Sequence, residues 1–90
     1  MITISIKEEI NPSLELNTSA SDFLDKIDKL SDDYVEVDFE GIIFVSRGFA
    51  QMYYSKKTKM DKNIVEINVP EAFKPLFKII EKTNNEVCLK

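Results

Sequence analysis

The chain has no histidine, no tryptophan and a single cysteine among its 90 residues. Without histidine it lacks the commonest general base of enzymes and the commonest transition-metal ligand. Cys88 can form no internal disulfide, and nothing stands at a zinc-binding spacing from it. Its apolar setting reads as that of a small core residue. No window approaches the ~18 consecutive apolar residues of a membrane span. The first residues show neither the basic start nor the long apolar run of a secretory signal. These absences leave no complete catalytic set, imply no cofactor or metal, and point to a cytoplasmic, reducing setting with no membrane partner.

What is present suits one small α/β domain spanning residues 1–90. Apolar residues make up 43 % and aromatics 10 % of the chain, enough for a single packed core. The net charge of −4 points away from nucleic acid. Its distribution is uneven: residues 1–40 hold eleven acids and three bases, residues 41–90 nine bases and five acids. Such a split suits either solvated helix faces or the steering of a charged partner toward one side.

Ile2–Ile6 alternates as a half-buried strand, and Leu14–Leu16 after the Asn11-Pro12-Ser13 turn reads as the second strand of a hairpin. Ser19, followed three residues later by Asp22, approximates a capping box. It opens a helix with Phe23, Leu24, Ile27 and Leu30 on one face. Tyr34–Phe39 is the best strand, covered fully on one side and partly on the other. Ile42–Val45 lacks alternation and is expected in the core. A helix over about Arg47–Thr58 buries Phe49, Ala50 and Tyr53, with Met52 and Tyr54 at its margins. Asn63–Val69 predicts another strand and Pro70 a last helix with the stripe Phe73, Leu76, Phe77 and Ile80; Pro75 must fall in its first turn. Glu86–Leu89 reads as an edge strand. The whole predicts a mostly parallel or mixed sheet of four to five strands with about three helices and right-handed connections.

The stretch that singles itself out is Tyr34–Tyr54, YVEVDFEGIIFVSRGFAQMYY. A strand ends in Asp38, the chain turns at Gly41, and Ser46-Arg47-Gly48 opens a helix. A helix N-terminus at the carboxyl end of a strand is where open α/β sheets commonly bind ligands, because its amides and dipole favour anions. Asp38, Gly41, Ser46, Arg47 and Gly48 are therefore the candidate partner- or anion-binding loop. The residues also admit plainer roles: Asp38 bonding turn amides, and Ser46 capping the helix. The Lys56–Lys62 run, KKTKMDK, reads as a helix end and loop.

Val35-Glu36-Val37-Asp38-Phe39-Glu40-Gly41-Ile42, followed by Phe44-Val45-Ser46-Arg47-Gly48-Phe49-Ala50, resembles the STAS-like family of small bacterial and archaeal domains. These are relatives of the anti-anti-sigma-factor STAS proteins, with a pattern close to V-x-L-D-F-x-G-V-x-x-I-S-x-S-F-A-D-E. Gly48 stands where the family often has a second serine, and Gln51-Met52 where an acidic pair is common. The resemblance implies a STAS-like fold and a non-enzymatic regulatory module. Such a module would dock a protein partner, a histidine-kinase-like ATPase or anti-sigma factor, through the loop and helix after the central strand. Ser46 is the remaining hydroxyl for phosphorylation in that loop. The alternative is a small anion- or nucleotide-binding domain using the same helix end. The expected state is a monomer or a weak homodimer through a sheet edge, Ile2–Ile6 or Val87–Leu89.

Overall fold

The computed structural model describes residues 2–88. Its elements follow in the order β1 (Ile2–Ser5), α1 (Ile6–Glu9), β2 (Ser13–Leu14), α2 (Asn17–Asp28), β3 (Tyr34–Asp38), β4 (Phe44–Val45), α3 (Arg47–Lys57), β5 (Asn63–Ile67), a 3-10 turn (Glu71–Phe73) and α4 (Lys74–Cys88). The α/β class is as expected, but the single sheet is not. Three strands form a parallel sheet in the order β1-β3-β5, and β2 pairs with β4, also in parallel, in a separate ribbon.

The split begins at Ser5. Its hydroxyl accepts a bond from the Glu8 amide at 3.4 Å, and the Ile10 amide closes on the Ile6 carbonyl at 2.9 Å. One helical turn, α1, replaces the end of the expected strand and buries Ile6 completely. The chain therefore leaves the sheet before a hairpin can form. Ser13 and Leu14 instead align with Phe44 and Val45. The next helix also starts earlier than the capping-box reading placed it. It begins at Asn17, with Leu16 as its N-cap and no side-chain cap, and the Ser19 amide donates to the Leu16 carbonyl.

In the main sheet each new strand lies beside the previous one. Successive right-handed crossovers in that order put every crossover helix on one side. The register agrees: Ile2, Ile4, Val35, Val37, Ile64 and Glu66 face the helices, while Thr3, Tyr34, Glu36, Asn63 and Val65 share the other face. Val35 and Val37 are fully buried and Tyr34 and Val65 are exposed. On the open face the Thr3 hydroxyl donates to Glu36 across the strands at 2.9 Å.

The core lies between this sheet and α2, α3 and α4. From α2 it takes Ala20, Phe23, Leu24 and Ile27, and from α3 Phe49, Ala50, Tyr53 and Tyr54. Tyr54 is buried rather than marginal because α4 covers it: the Phe77 ring meets it edge-on at 5.6 Å, and meets Phe39 at 5.3 Å. Such pairs add about 0.5–1.5 kcal/mol each beyond area burial. Pro75 occupies the second position of α4, where its missing N–H leaves no helical bond unmade. The strand expected over Glu86–Leu89 is not formed, since α4 continues to Cys88; Leu89 and the Cys88 side chain lie outside the described residues. Among the described residues no helix is long and apolar enough to cross a membrane.

Candidate functional site

The five residues singled out from the sequence fall into two separate constellations. The first is the Gly41 turn. One oxygen of Asp38 accepts the Glu40 amide at 2.9 Å and the side-chain amide of Asn68 at 3.1 Å. Asn68 follows β5 in a left-handed conformation, φ 55°, which asparagine tolerates better than most residues. Asp38 thus ties the end of β3 to the end of β5, next to the Phe39 amide bond to the Ile67 carbonyl at 2.9 Å. Gly41 has φ +84°, and a Cβ there would also come within 2.8 Å of the Lys7 side chain. Glycine is required here by backbone conformation.

The second constellation is the start of α3. Ser46 is its N-cap: the hydroxyl accepts from the Phe49 amide at 3.1 Å and donates to the Glu15 carbonyl at 2.8 Å. The Ser46 amide donates to the Leu14 carbonyl at 2.8 Å. One hydroxyl therefore holds the helix end and the exit of β2 together. A phosphoryl group on it would replace the proton now donated to Glu15. Arg47 and Gly48 are exposed, and a Cβ on Gly48 would meet nothing within 4 Å. Among the described residues Asp38 and Ser46 share no hydrogen-bond partner, β4 lying between the turn and the helix.

That insertion has a consequence for burial. Ile42 and Val45 enter the core as expected, but Ile43 is 74 % exposed and Phe44 44 % exposed. The expectation that all of Ile42–Val45 is buried is therefore wrong for its middle pair. The ribbon has only two strands and buries one side, so Leu14 and Val45 are covered while Ser13 is half-buried and Phe44 exposed. Leu16, one residue beyond the Glu15 carbonyl that Ser46 holds, is 65 % exposed. Between Glu40 and Gly48 the exposed residues are Glu40, Gly41, Ile43, Phe44, Arg47 and Gly48.

A different site was not found from the sequence. Glu66 of β5 points to the helix layer and is only 13 % exposed. Its carboxylate accepts from the Tyr53 hydroxyl at 2.8 Å, the Tyr54 hydroxyl at 3.3 Å, and the Lys57 ammonium at 2.8 and 3.0 Å. The ammonium also lies 5.1 Å from the Tyr54 ring centroid. Burial, reinforced by the charge on Glu66, pushes both tyrosine hydroxyls well above their ordinary pKa. They are proton holders, acting as fixed donors to the carboxylate rather than as acids or bases near neutrality. A groove of about 570 Å³ opens beside them, with Tyr54, Glu66, Val69, Pro75 and Phe77 among its walls. The sequence signalled only one member of this cluster: Glu66 stands two residues from Ile64, on the inward parity of its strand.

The basic run is largely engaged within the fold. Lys56 pairs with Asp25 and donates to Ser21, Lys57 serves Glu66, and Lys62 donates to the Leu30 and Asp32 carbonyls at 2.6 and 2.7 Å. Among the described residues no group of three or more Asp, Glu, His or Cys is placed to hold a metal ion. No family model, curated protein or solved structure matches the chain, so the STAS-like resemblance rests on the residues of the Tyr34–Tyr54 segment alone.

Proposed function

We propose that the chain is a protein-interaction module that docks a partner through the surface from Glu40 to Gln51. The observation that carries this reading is the exposed pair Ile43–Phe44, held between the Gly41 turn and the Ser46 cap. Two consecutive large apolar side chains on a rigidly anchored ribbon contribute little to this fold. Covered by a partner, each is worth about 1.5–3 kcal/mol. Arg47 and Gly48, exposed at the start of α3, extend the surface and give it a cation at one end. The partner implied by the STAS-like resemblance is a histidine-kinase-like ATPase or anti-sigma factor. Ser46 serves here as the anchor of the surface rather than as its contact.

The test is a comparison of proteins retained from native lysate by the wild-type chain and by Ile43→Asp/Phe44→Asp, quantified by mass spectrometry. A partner lost at least tenfold from the variant, with circular dichroism and melting unchanged, supports the reading; tenfold corresponds to about 1.4 kcal/mol. Retention of the same proteins by both chains sinks it.

A further inference from the structure

The groove beside Glu66 shares no residue with the docking surface and has a charge pattern of its own. Tyr54, Val69, Pro75 and Phe77 supply its apolar wall, and its volume of about 570 Å³ lies within the ~300–1,000 Å³ of small-molecule sites. Most of the charges along it are already matched. Glu66 pairs with Lys57 at 2.8 Å, and Glu71 with Lys74 at 2.9 Å. Glu66 has no acceptor capacity left for a ligand, because its two oxygens take four bonds. One charge of each sign remains on the groove wall, Lys78 and Glu81. Both are exposed, and neither side chain has a hydrogen-bond or ion-pair partner among the described residues. They stand three residues apart on α4, about 4.5 Å along its axis. Glu81 lies at the Tyr54 end: burial, then Glu66, then Glu81 raise the pKa of that hydroxyl.

We propose that this groove binds a zwitterionic α-amino acid with a large apolar side chain. The ammonium lies at Glu81 and the carboxylate at Lys78, so two charges carried on one carbon meet two charges less than a helical turn apart. The side chain covers Tyr54, Val69 and Phe77. An anion or a cation engages only one of the two unpaired groups, and an uncharged ligand engages neither. The charged pair therefore sets which ligand is accepted, while the apolar wall supplies the area. Affinity is on the order of 1 mM, since the groove is open and its two free charges are solvated.

Titration of the intact, isotope-labelled chain with L-phenylalanine to about 20 mM, well above that constant, tests the proposal by NMR amide shifts. The expected result is saturable shifts at Tyr54, Val69 and residues 77–81. N-acetylphenylalanine lacks the ammonium and phenylalanine amide lacks the carboxylate, and each binds about threefold to tenfold more weakly. Lys78→Gln weakens phenylalanine about threefold or more and leaves phenylalanine amide unaffected. Glu81→Gln weakens phenylalanine to the same degree and leaves N-acetylphenylalanine unaffected. Both substitutions are at exposed positions, so an unchanged melting temperature is the control for folding. No saturable shift over that range overturns the proposal, as do shifts confined to other residues. So does an N-acetyl or amide form that binds as tightly as phenylalanine, or a variant that weakens all three ligands alike.

Discussion

Glu66 is the residue whose neighbours most constrain it. A carboxylate on the inward face of an edge strand is unfavourable unless its lone pairs are engaged, and here two phenols and an ammonium engage them. Its removal leaves the Tyr53 hydroxyl and the Lys57 charge without their acceptor. Glu66→Leu is expected to cost about 2–4 kcal/mol in urea unfolding. The triple variant Glu66→Leu/Tyr53→Phe/Lys57→Met should recover most of that loss, since it removes donors and acceptor together. A triple variant no more stable than Glu66→Leu would show that the cluster contributes by shape rather than by polar pairing.

At the scale of elements, α3 carries a matched pair of helix-start effects. Ser46 caps the helix and also holds the β2 exit, so Ser46→Ala should destabilise by about 1–2 kcal/mol. Two positions on, Gly48 is helical, exposed and uncrowded, so Gly48→Ala should stabilise by about 0.5–1 kcal/mol. Thermal melts of the two variants should therefore shift in opposite directions. A destabilised Gly48→Ala would mean that the helix start carries strain the contacts do not reveal. The same helix explains the fate of the lysine run. Lys56 and Lys57 end α3 against the acidic α2 and against β5, which turns an apparent basic patch into internal cross-links.

For the whole molecule, the one-sided sheet and the buried tyrosines set the response to alkali. Tyr53 and Tyr54 have raised pKa values in the folded chain, first from burial and then from Glu66. Unfolded tyrosines titrate near 10. The tyrosine contribution to stability is thus fully present below about pH 10, and is lost as pH rises beyond it, because the unfolded chain releases protons that the folded chain keeps. Unfolding free energy measured between about pH 9 and 11.5 should fall more steeply for wild type than for Tyr53→Phe. The two proteins differ only in the Tyr53 hydroxyl, so the difference between the two slopes reports that tyrosine. Equal slopes would refute this account.

Residues two or three apart already determined much of this protein. The alternation in Ile2–Ser5 and Tyr34–Asp38, the amphipathic spacing of Phe23, Leu24 and Ile27, and the serine before α3 each record a local rule. Strand parity, helix faces and the Ser46 cap were therefore legible, as was the parallel order that strand–helix alternation requires. Tertiary structure decided what depends on partners distant in sequence. Ser13 found Phe44 rather than β1, because one turn of helix after Ser5 carried the chain away from the sheet. That pairing produced a ribbon with a single covered face and so left Phe44 in water; Ile43, just before the strand, is exposed as well, although four consecutive apolar residues read as core. Glu66, Tyr53, Tyr54 and Lys57 met for the same reason: α3 crosses β5 at a point that packing sets and no local pattern encodes. Local spacing reports which side of an element is apolar, whereas only the assembled layers determine whether that side is covered.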